Sequence, residues 1–290
     1  MTVTLRRVRP GDIDGVCSLL HTYMNPDFPV ERWQKLFEPT WCVDNPDMGI
    51  VAVDKTKNGQ EIVGFHGHVC SHRTVGTRQE RFVNFSSWYL RKEYRGQGLG
   101  RKMLEMATSQ PETTYVVCSL SPKRVEYFKT LGMDVLDTER LLWRKDGHLF
   151  DNLELIHDPE TIARYANPDE LTVLEDHKGL NVTPVLASTR CTQCLMLLSL
   201  AKKDEGRLYY DVLYRSNPGL FTDRVRDIAE ALLPEGNCVL AADRRFVEND
   251  GPGAEVEQIK SPRFYKTGRV RPRNVDLAYS EIVLLDLKLD

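Results

Sequence analysis

Residues 2–8, TVTLRRV, alternate apolar and polar positions, the period of a half-buried strand. Pro10-Gly11-Asp12 then opens a helix in which Ile13, Val16, Cys17 and Leu20 recur at i, i+3, i+4 and i+7. A second helical stretch, VERWQKLF, carries Trp33 and Phe37 one turn apart. MGIVAVDK and EIVGFHGHVCSHR read as strands joined by a polar turn at Lys57–Gly59. QERFVNFSSWYL is the next strand and runs into a glycine-rich stretch; Leu99, Met103, Leu104 and Met106 predict a helix just after the glycines. TTYVVCSL is a short buried strand. SPKRVEYFKTLG is a helix with Val125, Phe128 and Leu131 inward and Gly132 as its stop, and MDVLDTERLLWR returns to strand.

The pattern then changes. Residues 146–170 are polar and carry Asp and Pro, the composition of a linker with a short helix, so a first domain is expected over 1–145 and a second over 171–290. In the second, CLMLLSLAK and GRLYYDVLYR predict strands, and LFTDRVRDIAEALL a helix with Val225, Ile228, Ala229 and Leu232 on one face. NCVLAADRR and LAYSEIVLLDL predict two further strands. Order and spacing echo the first half from Phe82 onward, but the turn after Tyr214 is Ser216-Asn217-Pro218-Gly219, with no run of glycines. The second half therefore reads as a degenerate copy of the first.

Composition narrows the functional classes. With 41% hydrophobic and 28% charged residues and a net charge of −3, the chain has no overall pull toward nucleic acid or anionic membrane. No apolar run approaches the ~20 residues of a membrane helix, and MTVTLRRVRP lacks the apolar core of a signal peptide. Seven scattered cysteines suit reduced, core-filling thiols in a cytoplasm. Cys191 and Cys194 form a CxxC without two further ligands at suitable spacing, so no metal is expected. A basic stretch from Lys260 to Arg273, interleaved with Phe264 and Tyr265, has a composition that can bind RNA, but Glu255 and Glu257 precede it. It is expected to be a solvated loop.

Gly96, Gly98 and Gly100, flanked by Arg95 and Arg101, sit between a strand and a helix. The first N–H groups of a helix lack intrahelical partners and favour an anion, and glycine allows both close approach and positive φ. A nucleotide P-loop needs Lys-Ser/Thr after its last glycine; here Arg101 and Lys102 follow. A dinucleotide fingerprint needs Gly-x-Gly-x-x-Gly, but these glycines are spaced two apart. Arg95-Gly96-Gln97-Gly98-Leu99-Gly100 resembles instead the loop of the GNAT superfamily of acyl-CoA-dependent N-acyltransferases. WYLRKEYRG from Trp88, the Leu-Gly-Met ending of the helix over Ser121–Met133, and the opening RRVRPGDID are similar to the same family, so the resemblance spans about residues 1–145.

The resemblance implies an α/β fold, a mixed and mostly antiparallel sheet flanked by helices, here in two tandem domains. It implies acetyl-CoA or another acyl-CoA as co-substrate, with Arg95, Gly96, Gln97, Gly98, Leu99, Gly100 and Arg101 around its pyrophosphate. Trp88 and Leu90 would line its path, and the Leu90 N–H would polarise the thioester carbonyl. Acyl transfer needs a neutral amine, and a lysine-like amine with pKa ~10.4 costs roughly 4–5 kcal/mol to deprotonate at neutral pH. A base and a proton donor for the thiolate are therefore required.

Two positions depart from the family's pattern. Phe128 stands where a thiolate-protonating tyrosine is usual; Tyr127 precedes it, about 100° away around the helix. Asn84 stands where a carboxylate base would fall. By strand alternation Asn84, Ser86 and Trp88 share a face, and two of them could hold a water. His66 and His68 also share a face, and His68 is a candidate base, although packed core histidines have the same pattern. Tyr23, Asp27, Trp33 and Trp41 fall where the family shapes its acceptor pocket, although a plain helix core accounts equally for Trp33 and Phe37. The expected function is transfer of an acyl group to an amine of a small molecule. A non-catalytic acyl-CoA sensor and a protein N-acetyltransferase are the alternatives. Covering the acceptor site and forming a homodimer are both open as roles of the second domain.

Overall fold

The computed structural model describes residues 3–39, 41–42, 47–56, 59–203, 206–248 and 251–289. Lys57 and Asn58 of the expected polar turn lie outside the described residues. The chain divides into two compact units: unit 1 holds 1–119, 265–270 and 279–287, and unit 2 holds 120–264, 271–278 and 288–290. Neither unit is a single stretch of sequence, unlike the expected domains.

Unit 1 begins with β1 (Val3–Arg7), α1 (Ile13–Tyr23) and α2 (Val30–Gln34), followed by β2 (Gly49–Thr56), β3 (Gly59–Val75) and β4 (Arg78–Leu90). Then come α3 (Leu99–Ala107) and β5 (Thr113–Val117). Its strands are ordered β1-β2-β3-β4-β5. All neighbours are antiparallel except β4 and β5, which run parallel from Arg81↔Thr113 to Phe85↔Val117. The apolar stripe read on α1 is buried at Val16, Cys17 and Leu20, which removes it from water and fixes the helix on the sheet.

In unit 2, α4 (Val125–Thr130) and β6 (Asp134–Trp143) precede β7 (Glu154–Ile156), α5 (Pro159–Tyr165), α6 (Pro168–Asp176), β8 (Thr183–Ser188), β9 (Gln193–Lys202) and β10 (Leu208–Arg215). α7 (Pro218–Leu232), β11 (Cys238–Asp243) and β12 (Glu255–Lys266) follow. Its strands lie in the order β12-β6-β11-β10-β9-β8-β7, with β10 and β11 parallel. The apolar face of α7, Val225, Ile228 and Ala229, closes a core with Leu141, Met196, Leu198, Val212 and Leu240. Among the described residues no helix is long and apolar enough to cross a membrane.

Residues 146–170 contain β7, paired with β8, the short helix α5, and the start of a Pro-led, Asn167-capped α6. Two expectations need correction. The basic stretch is a solvated loop only in its second half, where Arg269, Arg271 and Arg273 are exposed: β12 covers 255–266, Phe264 is fully buried, and Arg263 is ion-paired with Asp243 at 2.6 Å. LAYSEIVLLDL is not a strand. Ser280 accepts from the Ile282 N–H and caps a short helix, α8 (Glu281–Leu284), in unit 1, all four residues of which are buried. A short apolar run buried on every side has no period to separate helix from strand.

Candidate active site

The glycine loop bends where the sequence requires glycine. Gly96 and Gly98 have φ of 79° and 75°, in the left-handed region, and Gly98 is the N-cap of α3. Gly100 answers a different need: a Cβ there would lie 3.1 Å from Trp88 Cζ2, so the first turn of α3 rests directly on the indole. Arg95 is exposed, its Nε donates to the Leu90 carbonyl at 2.7 Å, and its guanidinium lies 5.3 Å from the Tyr89 ring centre. Gln97 Nε2 reaches the Glu93 carbonyl at 3.4 Å, and Arg101 pairs with Glu105 on the exposed flank of α3. Built Cβ atoms on Gly96 and Gly98 meet nothing within 4 Å. An exposed loop at a helix start, flanked by two arginines, fits a diphosphate-sized anion.

The loop adjoins a split in the sheet. β4 runs five residues beyond its last rung with β5, Phe85↔Val117. The Arg91 N–H donates to the Val63 carbonyl at 2.9 Å. By the alternation of an antiparallel ladder, the Leu90 N–H is then directed away from β3, toward the opening. That is the orientation needed to donate to an oxyanion there.

A bulge resets the faces of β4. His66 pairs with Trp88 and His68 with Phe85, so Gly67 faces both Ser86 and Ser87. The extra residue shifts the alternation by one. Trp88 therefore leaves the face of Asn84 and joins His66, whose ring is 5.9 Å from the indole, on the side of α3. The expectation that Asn84, Ser86 and Trp88 share a face fails at the bulge. Ser86 stays with Asn84: a Cβ on Gly67 would collide with its Oγ. That Oγ is buried without a hydrogen-bond partner among the described residues.

The two histidines do share a face, as the spacing predicts, and are 1% and 3% exposed. His68 Nε2 is 3.1 Å from His66 Nδ1, and His68 Nδ1 lies 3.2 Å from Asp47 Oδ2. Arg7 pairs with the same carboxylate. Burial alone would raise the Asp47 pKa, but His68, Arg7 and the Gly49 N–H outweigh it and hold the group down at about 2. His68 thus belongs to a buried polar chain on the α3 side and does not face Asn84.

Asn84 is spoken for. Its Nδ2 donates to the Tyr279 carbonyl at 2.7 Å, and its Oδ1 accepts from Cys118 Sγ at 3.3 Å. The segment 279–287 continues across this face. Trp41 meets the Tyr279 ring edge-on at 5.0 Å, Arg32 Nε donates to the Leu285 carbonyl at 2.8 Å, and Ser119 Oγ donates to Glu281 Oε1 at 2.5 Å. Trp33 is a core residue, 2% exposed, tilted against Phe28. Tyr23, by contrast, is 48% exposed and stacks on Tyr89 at 6.4 Å. Asp27 is exposed near the end of the same helical region. Tyr127 and Phe128 belong to unit 2, where Phe128 is buried against Phe264 at 6.1 Å. Sequence reasoning missed Glu281 and Tyr279, whose one local signal is Ser280, a capping residue before an apolar run.

The acetyltransferase (GNAT) family model matches residues 14–132. No curated protein matches the chain. Among solved structures, a conserved protein from Enterococcus faecalis V583, described as a probable N-acyltransferase, is similar at TM-score 0.57 and 10% identity, over 92% of this chain and 73% of that one. A GCN5-related N-acetyltransferase from Anabaena variabilis ATCC 29413 gives a TM-score of 0.55 at 10% identity with the same coverage, and one from Kribbella flavida 0.54 at 12%, over 92% and 71%. At these identities the likeness is one of fold. The strand, loop and helix that carry the glycines all fall inside the segment that matches the acetyltransferase (GNAT) family model.

Proposed function

We propose that unit 1 is an N-acyltransferase that moves an acetyl or other acyl group from coenzyme A to an amine of a small molecule. The observation that carries this reading is the pairing of a left-handed glycine loop at the start of α3 with a sheet split whose Leu90 N–H is directed inward. Coenzyme A would bring the acyl group as a thioester. Gly96, Gln97, Gly98, Leu99 and Gly100, with Arg95 and Arg101, would hold its diphosphate. The Leu90 N–H would donate to the carbonyl oxygen as charge develops on it. Tyr23 and Tyr89 present a half-open aromatic wall on the other side of β4, suited to an acceptor with an apolar body.

Unit 2 reads as a second copy that has lost the anion site. Its order β7-α5-α6-β8-β9-β10-α7-β11 repeats β1-α1-α2-β2-β3-β4-α3-β5, and β10 likewise outruns its parallel pairing with β11, whose last rung is Asp211↔Ala241. At its α7 start the buried Glu170 carboxylate accepts from Ser216 Oγ at 2.6 Å, Gln193 Nε2 at 2.6 Å and the Asn167 N–H at 2.9 Å. A carboxylate in that position opposes a diphosphate.

Thermal shift with acetyl-CoA and CoA, followed by thiol release across a panel of primary amines, tests the proposal. Stabilisation by both ligands with turnover of one or more amines is expected. Stabilisation without turnover on any amine favours the acyl-CoA sensor, which the hydrogen-bonded Asn84 also suits. An acetylated protein in lysate, with no small amine consumed, favours protein N-acetylation. No response to either ligand overturns all three.

A further inference from the structure

The reaction needs a proton acceptor, and the expected position on β4 offers an amide whose two ends are engaged. His68 lies on the opposite face, bound up with Asp47 and His66. A third group remains. Glu281 is 1% exposed, sits in the first turn of α8, and accepts from Ser119 Oγ at 2.5 Å. Ser119 is exposed. It stands two residues beyond Val117, the last residue of β5 paired with β4, on the strand that borders the opening. The Asn84 bond to the Tyr279 carbonyl fixes the backbone two residues before Glu281, so the carboxylate is delivered to the split by a built contact.

We propose that Ser119 and Glu281 form the proton-accepting pair of unit 1, with Ser119 as the catalytic hydroxyl that meets the acceptor amine and Glu281 as the residue that acts through it. The proposal rests on the acyltransferase reading. As the acceptor ammonium loses a proton to Ser119 Oγ, the Ser119 proton passes to Glu281 Oε1. The neutral amine then forms the C–N bond to the acyl carbon. The C–S bond breaks with its electron pair on sulfur, and the second amine proton neutralises the thiolate. This arrangement answers the burial of Glu281: an exposed hydroxyl carries the exchange, while the carboxylate behind it stays in place and takes the proton.

The test compares two nucleophiles with acetyl-CoA as donor. Primary alkylamines are protonated at neutral pH and need a base; hydroxylamine is largely unprotonated and does not. In Glu281→Gln and Ser119→Ala, alkylamine turnover should fall on the order of 10²–10⁴-fold. Hydroxylamine turnover and the thermal shift with acetyl-CoA should stay within about threefold and a few degrees of wild type, and Glu281→Asp should recover part of the lost rate. Alkylamine turnover within threefold of wild type in either variant overturns the pair. So does an equal loss on both nucleophiles together with a lost acetyl-CoA shift, which would mark a structural role. A wild type that acylates hydroxylamine but no alkylamine also overturns it. A wild type that acts on neither removes the acyltransferase reading itself, a different failure.

Discussion

Gly100 stands over Trp88 so closely that an added Cβ would lie 3.1 Å from Cζ2 of the indole. The contact ties the start of α3 to the far end of β4, the two elements that bracket the glycine loop. It also makes the three glycines separable by experiment. Gly98→Ala puts a side chain at φ 75° and should cost about 1–2 kcal/mol of stability. Gly100→Ala gains helix propensity of up to ~1 kcal/mol and loses a comparable amount to the crowded indole. Its melting temperature should stay near wild type, while tryptophan emission shifts. Removing the indole in Gly100→Ala/Trp88→Phe should leave the alanine favourable, measurable as non-additivity in a thermal double-mutant cycle.

The Asp47–His68 pair gives a pH signature. Asp47 titrates near 2 in the fold against ~3.9 unfolded, so its contribution is present above about pH 4 and is lost as pH falls toward 2. The difference corresponds to roughly 2–3 kcal/mol. Urea unfolding at intervals from pH 6 down to 2 should show that decline in wild type, and Asp47→Asn should flatten it and lower stability at neutral pH.

Asn84→Asp restores a carboxylate at the position where the family pattern expects one, yet should not improve the enzyme. The Tyr279 carbonyl would lose its donor and face an anion instead. A loss of roughly 1–3 kcal/mol in unfolding free energy is expected, with no gain in amine turnover. Chemical denaturation and the thiol-release assay check the two halves.

Glu170 is 1% exposed and holds together Ser216, Gln193 and the Asn167 N–H. Glu170→Ala leaves those donors without a buried acceptor and should destabilise by about 2–4 kcal/mol. Because the carboxylate belongs to unit 2, the increment in melting temperature produced by acetyl-CoA should be unchanged when measured from the variant's own baseline.

Local rules made most of unit 1 legible. Strand alternation, the i, i+3, i+4 stripe of α1 and the glycine spacing each depend on neighbours in sequence, and each matches the structure at β1, α1 and the start of α3. What escaped was non-local or one residue long. The bulge at Ser86–Ser87 has no marker in SSWYL, and it alone moved Trp88 to the other face. Asp47 is 21 residues from His68 and meets it through folding only. Glu281 is 162 positions from Ser119, so no motif search bounded by the glycine loop reaches it.

The segment 279–287 has a consequence for how the chain is made. The Asn84 amide, the Trp41 edge and the Arg32 guanidinium find their partners in residues synthesised more than 190 positions after Asn84. During translation those groups meet their partners only after residues 120–264 of unit 2 have been made. A fragment cut at the boundary of the family match, residue 132, would lack that closing piece. The order of synthesis thus ties completion of the candidate active site to completion of the domain that follows it.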